Sequence, residues 1–327
     1  MAEIVMGIGA SHSPLLNSPA EDYAKHAEKD VDRPLLDKEG NKSTYAELLT
    51  KADPSIKDQI TPEVLEERAA ACTRDIEYLD EAIHAAKLDA LIIIGDDQNE
   101  QYSDDNMPAI LIYRGETIVN NPLNLPDAPE FWKRARSQFH TKDGPIEYPV
   151  AHELAAHMID TLMDAEFDIA QANRLSDPHG EGHAFGYVHQ RLMTKSIVPI
   201  VPVALNTYFP PNQPRPARCY KLGQEIAKAV RSWNSDARVG ILGSGGLTHF
   251  VVDEQLDRMV MDACKNKDAA ALSSIDPNLI NSGTSEIRNW IVVAGACEHL
   301  ETEWQDYIPC YRSEAGTGCG MGFAIWN

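Results

Sequence analysis

Val239-Gly-Ile-Leu-Gly-Ser-Gly-Gly-Leu-Thr-His249 is the stretch from which the fold class of this chain is read. A short apolar run stops at a glycine-rich turn, and the turn delivers one histidine to the end of a predicted strand. In open α/β sheets, ligands bind beyond the carboxyl ends of the strands, so reactive side chains are expected there. The same design recurs near the N-terminus, where Ile4-Val-Met-Gly-Ile-Gly-Ala-Ser-His12-Ser-Pro closes an apolar strand with His12. A third, altered copy, Leu91-Ile-Ile-Ile-Gly-Asp-Asp-Gln98-Asn-Glu100, ends in carboxylates and an amide. Three strands thus converge polar groups on one rim, a pattern that points to a metal site with an acid–base partner.

Working outward, residues 2–9 read as a buried strand, and residues 13–60 as an irregular, charged insertion or lid. Thr61 and Pro62 then open a helix whose apolar residues Leu65, Ala69, Cys72, Ile76, Leu79 and Ile83 step by four and three. Strands are expected at 88–94, 109–113, 167–170 and 197–205, and helices at 152–164, 218–233, 253–271 and 284–296. The glycine-rich tail suits a loop and one final strand. This β–α–β rhythm predicts an α/β fold with a mostly parallel central sheet between helices, formed by one domain over residues 1–327.

Composition narrows the partners. Lys and Arg total 29 against 50 Asp and Glu, giving a net charge of −21. Such a surface repels phosphate backbones, which argues against nucleic acid. An anionic small substrate would need a locally positive pocket, which a divalent metal can supply. No window approaches 18 consecutive apolar residues, so no transmembrane helix is expected. Six cysteines without a CxxC pair read as buried thiols, and the expected location is the cytoplasm.

A non-haem Fe(II) site uses two histidines and a carboxylate on one face. His12 at its strand end is a candidate ligand, against a reading as a turn cap through Ser11 or Ser13. Glu286, in Ser282-Gly-Thr-Ser-Glu-Ile-Arg-Asn-Trp290, is a candidate carboxylate, against a reading as a first-turn residue placed by the helix dipole. His249 and His183 are acid–base candidates, because a neutral imidazole can take a phenol proton and return it. His179 lies close to His183 in the same glycine-rich loop. Nucleophile-elbow, dinucleotide, Walker and paired-cysteine zinc motifs are absent.

Together, Gly-Ala-Ser-His12-Ser-Pro, Ser244-Gly-Gly-Leu-Thr-His249 and Ser282-Gly-Thr-Ser-Glu286 resemble the type III extradiol ring-cleavage dioxygenases, the superfamily of the protocatechuate 4,5-dioxygenase β subunit. Gly95-Asp-Asp-Gln, Asn206-Thr-Tyr-Phe-Pro-Pro-Asn-Gln-Pro and Tyr311-Arg-Ser-Glu-Ala-Gly-Thr-Gly look most like the 3-O-methylgallate 3,4-dioxygenase subgroup. The resemblance implies an Fe(II)-dependent enzyme acting on a catechol- or gallate-type ring with O₂, and a homo-oligomer. It makes His12 and Glu286 iron ligands, His249 the acid–base catalyst and His183 a second active-site histidine. Tyr208 is expected to help shape the substrate pocket. Many members end the third strand with Asn-Asp-His, where this chain has Asp96-Asp97-Gln98. Gln98 is then the expected third ligand, with Asp97 or Glu100 as substitutes. That departure leaves open a Zn²⁺- or Mn²⁺-dependent hydrolase or lyase on the same scaffold, or a non-catalytic aromatic-binding homologue.

Overall fold

The computed structural model describes residues 1–175 and 180–327; His179 lies outside the described residues. Eight strands form the main sheet: β1 (Glu3–Ala10), β2 (Ala90–Asp96), β3 (Ile110–Tyr113), β4 (Ala170–Ala172), β5 (Ile200–Leu205), β6 (Arg238–Ser244), β7 (Thr302–Tyr311) and β8 (Gly318–Trp326). Their spatial order is β7-β8-β1-β6-β2-β5-β3-β4. The centre, β1-β6-β2-β5, is parallel, and β3-β4 is a parallel pair that joins β5 antiparallel. β7 and β8 form an antiparallel hairpin on the other side of β1.

The central strands read as unbroken apolar runs because both sheet faces are covered. Ile92 and Ile94 face one core, shared with helices α2 (His152–Asp164), α4 (Pro216–Ser232), α5 (Glu254–Lys265) and α6 (Ile287–Ala296). Leu91 and Ile93 face the other, shared with α1 (Pro62–Ala86) and the segment from α3 (His183–Tyr187) to Met193. α1 begins at Thr61, whose hydroxyl accepts the Val64 N–H, with Pro62 in its first turn.

Several boundaries differ from the sequence expectation. Ala170–Ala172 replaces the strand expected at 167–170, because Phe167 is drawn into the core as an anchor beneath the α2 end. The helix expected at 253–271 is two, Glu254–Lys265 and Ala269–Ser273, divided where Lys267 adopts a left-handed φ of 55°. The sequence expectation holds no strand at Thr302–Tyr311; that strand pairs antiparallel with the tail, which is the expected loop and final strand, Gly318–Trp326. The tail's glycines suit a strand that runs beneath Leu247 and Trp290, where a Cβ on Gly322 would stand 2.8 Å from the Leu247 Cδ1. Residues 14–59 hold short helical turns, two short helices and a two-stranded ribbon, Leu35–Leu36 with Lys42–Ser43. All six cysteines are buried free thiols. Among the described residues, no helix is long and apolar enough to cross a membrane.

The parallel register brings the site together. Ala10 pairs with Ser244, and Gly243 with Ile94, so His12 and Asp96 leave the ends of the two strands that flank β6 at one level. α6 lies close on this end because β1 carries Gly9, where a Cβ would meet Trp290 at 2.3 Å. Trp290 Nε1–H also donates to Gly245 O at 2.9 Å, and this docking sets Glu286, just before α6, over the rim.

Candidate metal centre

His12, Asp96, His183 and Glu286 are all buried, and one ligand atom of each lies within 4.8 Å of the others. Four strands and turns distant in sequence supply them. Hydrogen-bond accounting fixes how the imidazoles face. Ser244 Oγ donates its single proton to Ala184 O at 2.8 Å. Toward His12 Nδ1, 2.9 Å away, that hydroxyl can therefore only accept, so the proton of neutral His12 resides on Nδ1. Its Nε2 is a bare lone pair, buried without a hydrogen-bond partner and 3.7 Å from Glu286 Oε2.

His183 repeats the arrangement. Gly182, with φ +82°, turns the chain into the short helix α3, so His183 is the first helical residue instead of the loop residue the sequence reading expects. Glu100 Oε2 accepts its backbone N–H at 2.9 Å and faces its Nδ1 at 2.6 Å. Nε2 points inward, 3.8 Å from Asp96 Oδ2. A carboxylate behind a ligating imidazole is the usual way a metal site fixes tautomer and raises basicity. Arg136 holds the other Glu100 oxygen at 3.2 Å.

The carboxylates are positioned as firmly. Glu286 Oε2 accepts the Gly246 N–H at 2.6 Å, and Oε1 accepts the Tyr208 hydroxyl at 3.1 Å. Asp96 Oδ1 is buried with no hydrogen-bond partner. Burial and then the charge of Glu286 push the Asp96 carboxyl up to about 8. Glu286 is driven up by burial as well, yet His249, by its charge and its close contact, outweighs this and brings it down to about 2. Burial holds His12 neutral, lowering it to about 3. For His183, burial acts downward but Glu100 outweighs it and raises the imidazole to about 9.

This set fits a divalent cation on its own chemistry. Two bare or exchangeable imidazole nitrogens and two carboxylates converge, and the partnerless His12 Nε2 and Asp96 Oδ1 lack what an ion would give them. Ligands about 2.1 Å from one ion stand at most about 4.2 Å apart, a little less than the 4.8 Å within which the four ligand atoms lie. The protons on Asp96 and His183 are those that a bound cation displaces.

The other sequence candidates take distinct places. Gln98 stands on the cavity side, its Nε2 donating to Asp96 Oδ2 at 3.2 Å and to Glu286 Oε1 at 3.3 Å. Asp97 is turned away and accepts the Gln101 and Tyr102 N–H groups at 2.9 and 3.1 Å, closing the turn after β2. Glu100 stands behind His183. His249 lies beside the four donors: its Nδ1–H donates to Leu247 O at 2.9 Å, which leaves Nε2 to face Glu286 Oε1 at 3.3 Å and the Tyr208 hydroxyl at 3.4 Å. Burial acts to lower His249, but the Glu286 charge raises it well above the usual imidazole range.

Sequence reasoning did not single out Asp96 or Ser244. Asp96 sat inside a quoted motif, but only the strand register shows it level with His12. Ser244 is a small residue in a glycine turn, and nothing local distinguishes a tautomer-fixing hydroxyl from a turn serine. His12, Gln98, His183, Tyr208, His249 and Glu286 all line one cavity of about 200 Å³.

Residues 76–318 match the family of the catalytic LigB subunit of aromatic ring-opening dioxygenase. A 2,3-dihydroxyphenylpropionate/2,3-dihydroxicinnamic acid 1,2-dioxygenase of Comamonas testosteroni is 28% identical over 168 residues, 51% of this chain and 45% of the relative. The protein of the same name from Xanthobacter autotrophicus is 26% identical over 193 residues, 58% of this chain and 51% of its own. A gallate dioxygenase of Pseudomonas putida is 27% identical over 168 residues, 47% of this chain and 48% of that protein. The chain thus spans about half the length of the curated relatives it matches.

Proposed function

The chain belongs to the family of the catalytic LigB subunit of aromatic ring-opening dioxygenases, and from that premise we propose that it opens a catechol- or gallate-type ring with O₂ at an Fe(II) centre. The observation that carries the reading is the buried set of His12, Asp96, His183 and Glu286, three of which, His12, His183 and Glu286, line a cavity of about 200 Å³. In this reading His12, His183 and Glu286 ligate the iron, Asp96 adds a fourth donor, and Gln98 hydrogen-bonds the two carboxylates. His183 thereby supplies the second imidazole of the set, which the amide of Gln98 does not. Bound there, iron supplies a common anchor for adjacent ring oxygens and O₂, which lowers the entropic barrier to their meeting.

The remaining work falls to protein groups. His249 is the proton carrier: Leu247 O holds Nδ1–H, so Nε2 accepts a phenol proton and later returns it to the oxygenated ring. Its proton affinity depends on Glu286, whose negative charge is shared once a cation is bound. Burial, then the Glu286 and Asp96 charges, keep Tyr208 well above its usual pKa, so it stays a hydrogen-bond donor toward a ring oxygen. The apolar faces of Phe139 and Phe250 exclude water from the ring.

The test is O₂ uptake by anaerobically Fe(II)-loaded protein across catechol, 3,4-dihydroxybenzoate, gallate and 3-O-methylgallate. Uptake coupled to a yellow ring-opened product from at least one diol supports the reading. No uptake from any of them, with one iron per chain in place, overturns it.

A further inference from the structure

The cavity mouth carries a cationic group that the chemistry above does not use. Lys29, Arg33 and Arg312 line the same cavity as the metal donors, with Asp30 as the carboxylate among them. Asp30 is already committed: Arg312 Nε and one terminal nitrogen each stand 2.7 Å from its two oxygens, and both side chains are buried. Arg33 approaches that pair only to 3.8 Å and, among the described residues, donates no hydrogen bond. Its guanidinium carbon lies 3.9 Å from the centre of the Phe250 ring. Lys29 Nζ stands 3.6 Å from the centre of the Trp132 ring and, among the described residues, has no carboxylate partner. Arg136 also lines the cavity, but Glu100 neutralises it.

Three positive charges against one negative leave a local excess at the mouth of a chain whose net charge is −21. An anion approaching this protein is repelled at long range, so a favourable local field is needed where one must enter. Two of the cations sit over aromatic rings with their N–H donors unspent, a setting that suits a carboxylate attached to a ring. Phe250 directly follows His249, so this positive group begins one residue from the proposed proton carrier.

We propose that Arg33 and Lys29 form a specificity subsite that holds a carboxylate borne by the aromatic substrate, with the Arg312–Asp30 pair as its buried support. This rests on reading the same cavity as the ring-diol site. The segment expected from sequence to act as an insertion thereby supplies substrate selection: Lys29, Asp30 and Arg33 all come from it.

The experiment is calorimetric titration of the full-length, anaerobic, Fe(II)-loaded protein with 3,4-dihydroxybenzoate and 3-(2,3-dihydroxyphenyl)propanoate, each compared with its methyl ester. At least one acid should bind about 10- to 100-fold tighter than its ester, the range for a charge-assisted hydrogen bond. That acid-to-ester ratio should fall toward one in Arg33→Met and in Lys29→Met, while Arg33→Lys keeps part of it. Thermal unfolding of each variant verifies that it is folded. Equal binding of acid and ester by the wild type, no binding of any probe, or an unchanged ratio in both methionine variants overturns the subsite. The two readings fail separately. An acid preference without ring opening in air sinks the oxygenase reading alone, and ring opening without acid preference sinks the subsite alone.

Discussion

Oε2 of Glu100 accepts the backbone N–H of His183 at 2.9 Å and faces the Nδ1 of the same residue at 2.6 Å. One carboxylate therefore fixes both the start of a helix and the direction of the lone pair on its first imidazole. Glu100→Gln keeps the size but weakens the acceptor and removes the charge. The expected result is a loss of metal affinity of about 10- to 100-fold, the cost of deleting such a partner elsewhere. A competitive chelator titration measures it, and an unchanged affinity would place His183 outside the donor set.

His249 stands beside the donors without ranking among them. His249→Ala should lower turnover by about 10²- to 10⁴-fold, the share a positioned acid–base group contributes, while the purified variant still binds one metal per chain. Parallel loss of metal and rate would assign it to the ligands instead.

Gly283 backs His249. A Cβ at this position would lie 2.1 Å from His249 Cδ2 and 2.5 Å from its carbonyl oxygen. Gly283→Ala must push the imidazole aside, so turnover should fall well below wild type with the metal retained. Overpacking of this kind costs about 1–3 kcal/mol, readable as a shift in the urea midpoint. A fully active Gly283→Ala enzyme would show that the His249 ring position is not critical.

Asp96 predicts a pH dependence of the metal-free protein. Burial and then the Glu286 charge raise its carboxyl from 3.8 to about 8. The folded protein thus keeps a proton that the unfolded chain releases. This contribution is complete below the unfolded pKa and is lost as pH rises through the folded one. Between about pH 5 and pH 8, metal-free wild type should lose more stability than metal-free Asp96→Asn in urea unfolding. Equal slopes would remove Asp96 as a holder of that proton.

Much of this was legible in the chain, for identifiable reasons. The three apolar runs ending at His12, Gln98 and His249 are buried on both faces, which writes them as continuous hydrophobic segments, and Thr61-Pro62 marks a helix start by local chemistry alone. Asp96 was not legible, because what distinguishes it from Asp97 is strand register: one side chain enters the site and its neighbour binds two backbone N–H groups of the following turn. The strand Thr302–Tyr311 was not legible either, because it lies at the sheet edge, most of its residues are only half-buried or exposed, and it carries no continuous apolar run. The partnership of His183 with Glu100 spans 83 positions and leaves no periodic trace.

The central claim is that His12, Asp96, His183 and Glu286 hold one cation. Anaerobic Fe(II) titration of metal-stripped protein, read by calorimetry and elemental analysis, tests it most directly when wild type is compared with His12→Ala and Glu286→Gln. One equivalent bound by the wild type, and weak or no binding by both folded variants, is the predicted result. Tight stoichiometric binding that survives in both variants, or none in the wild type, would contradict it.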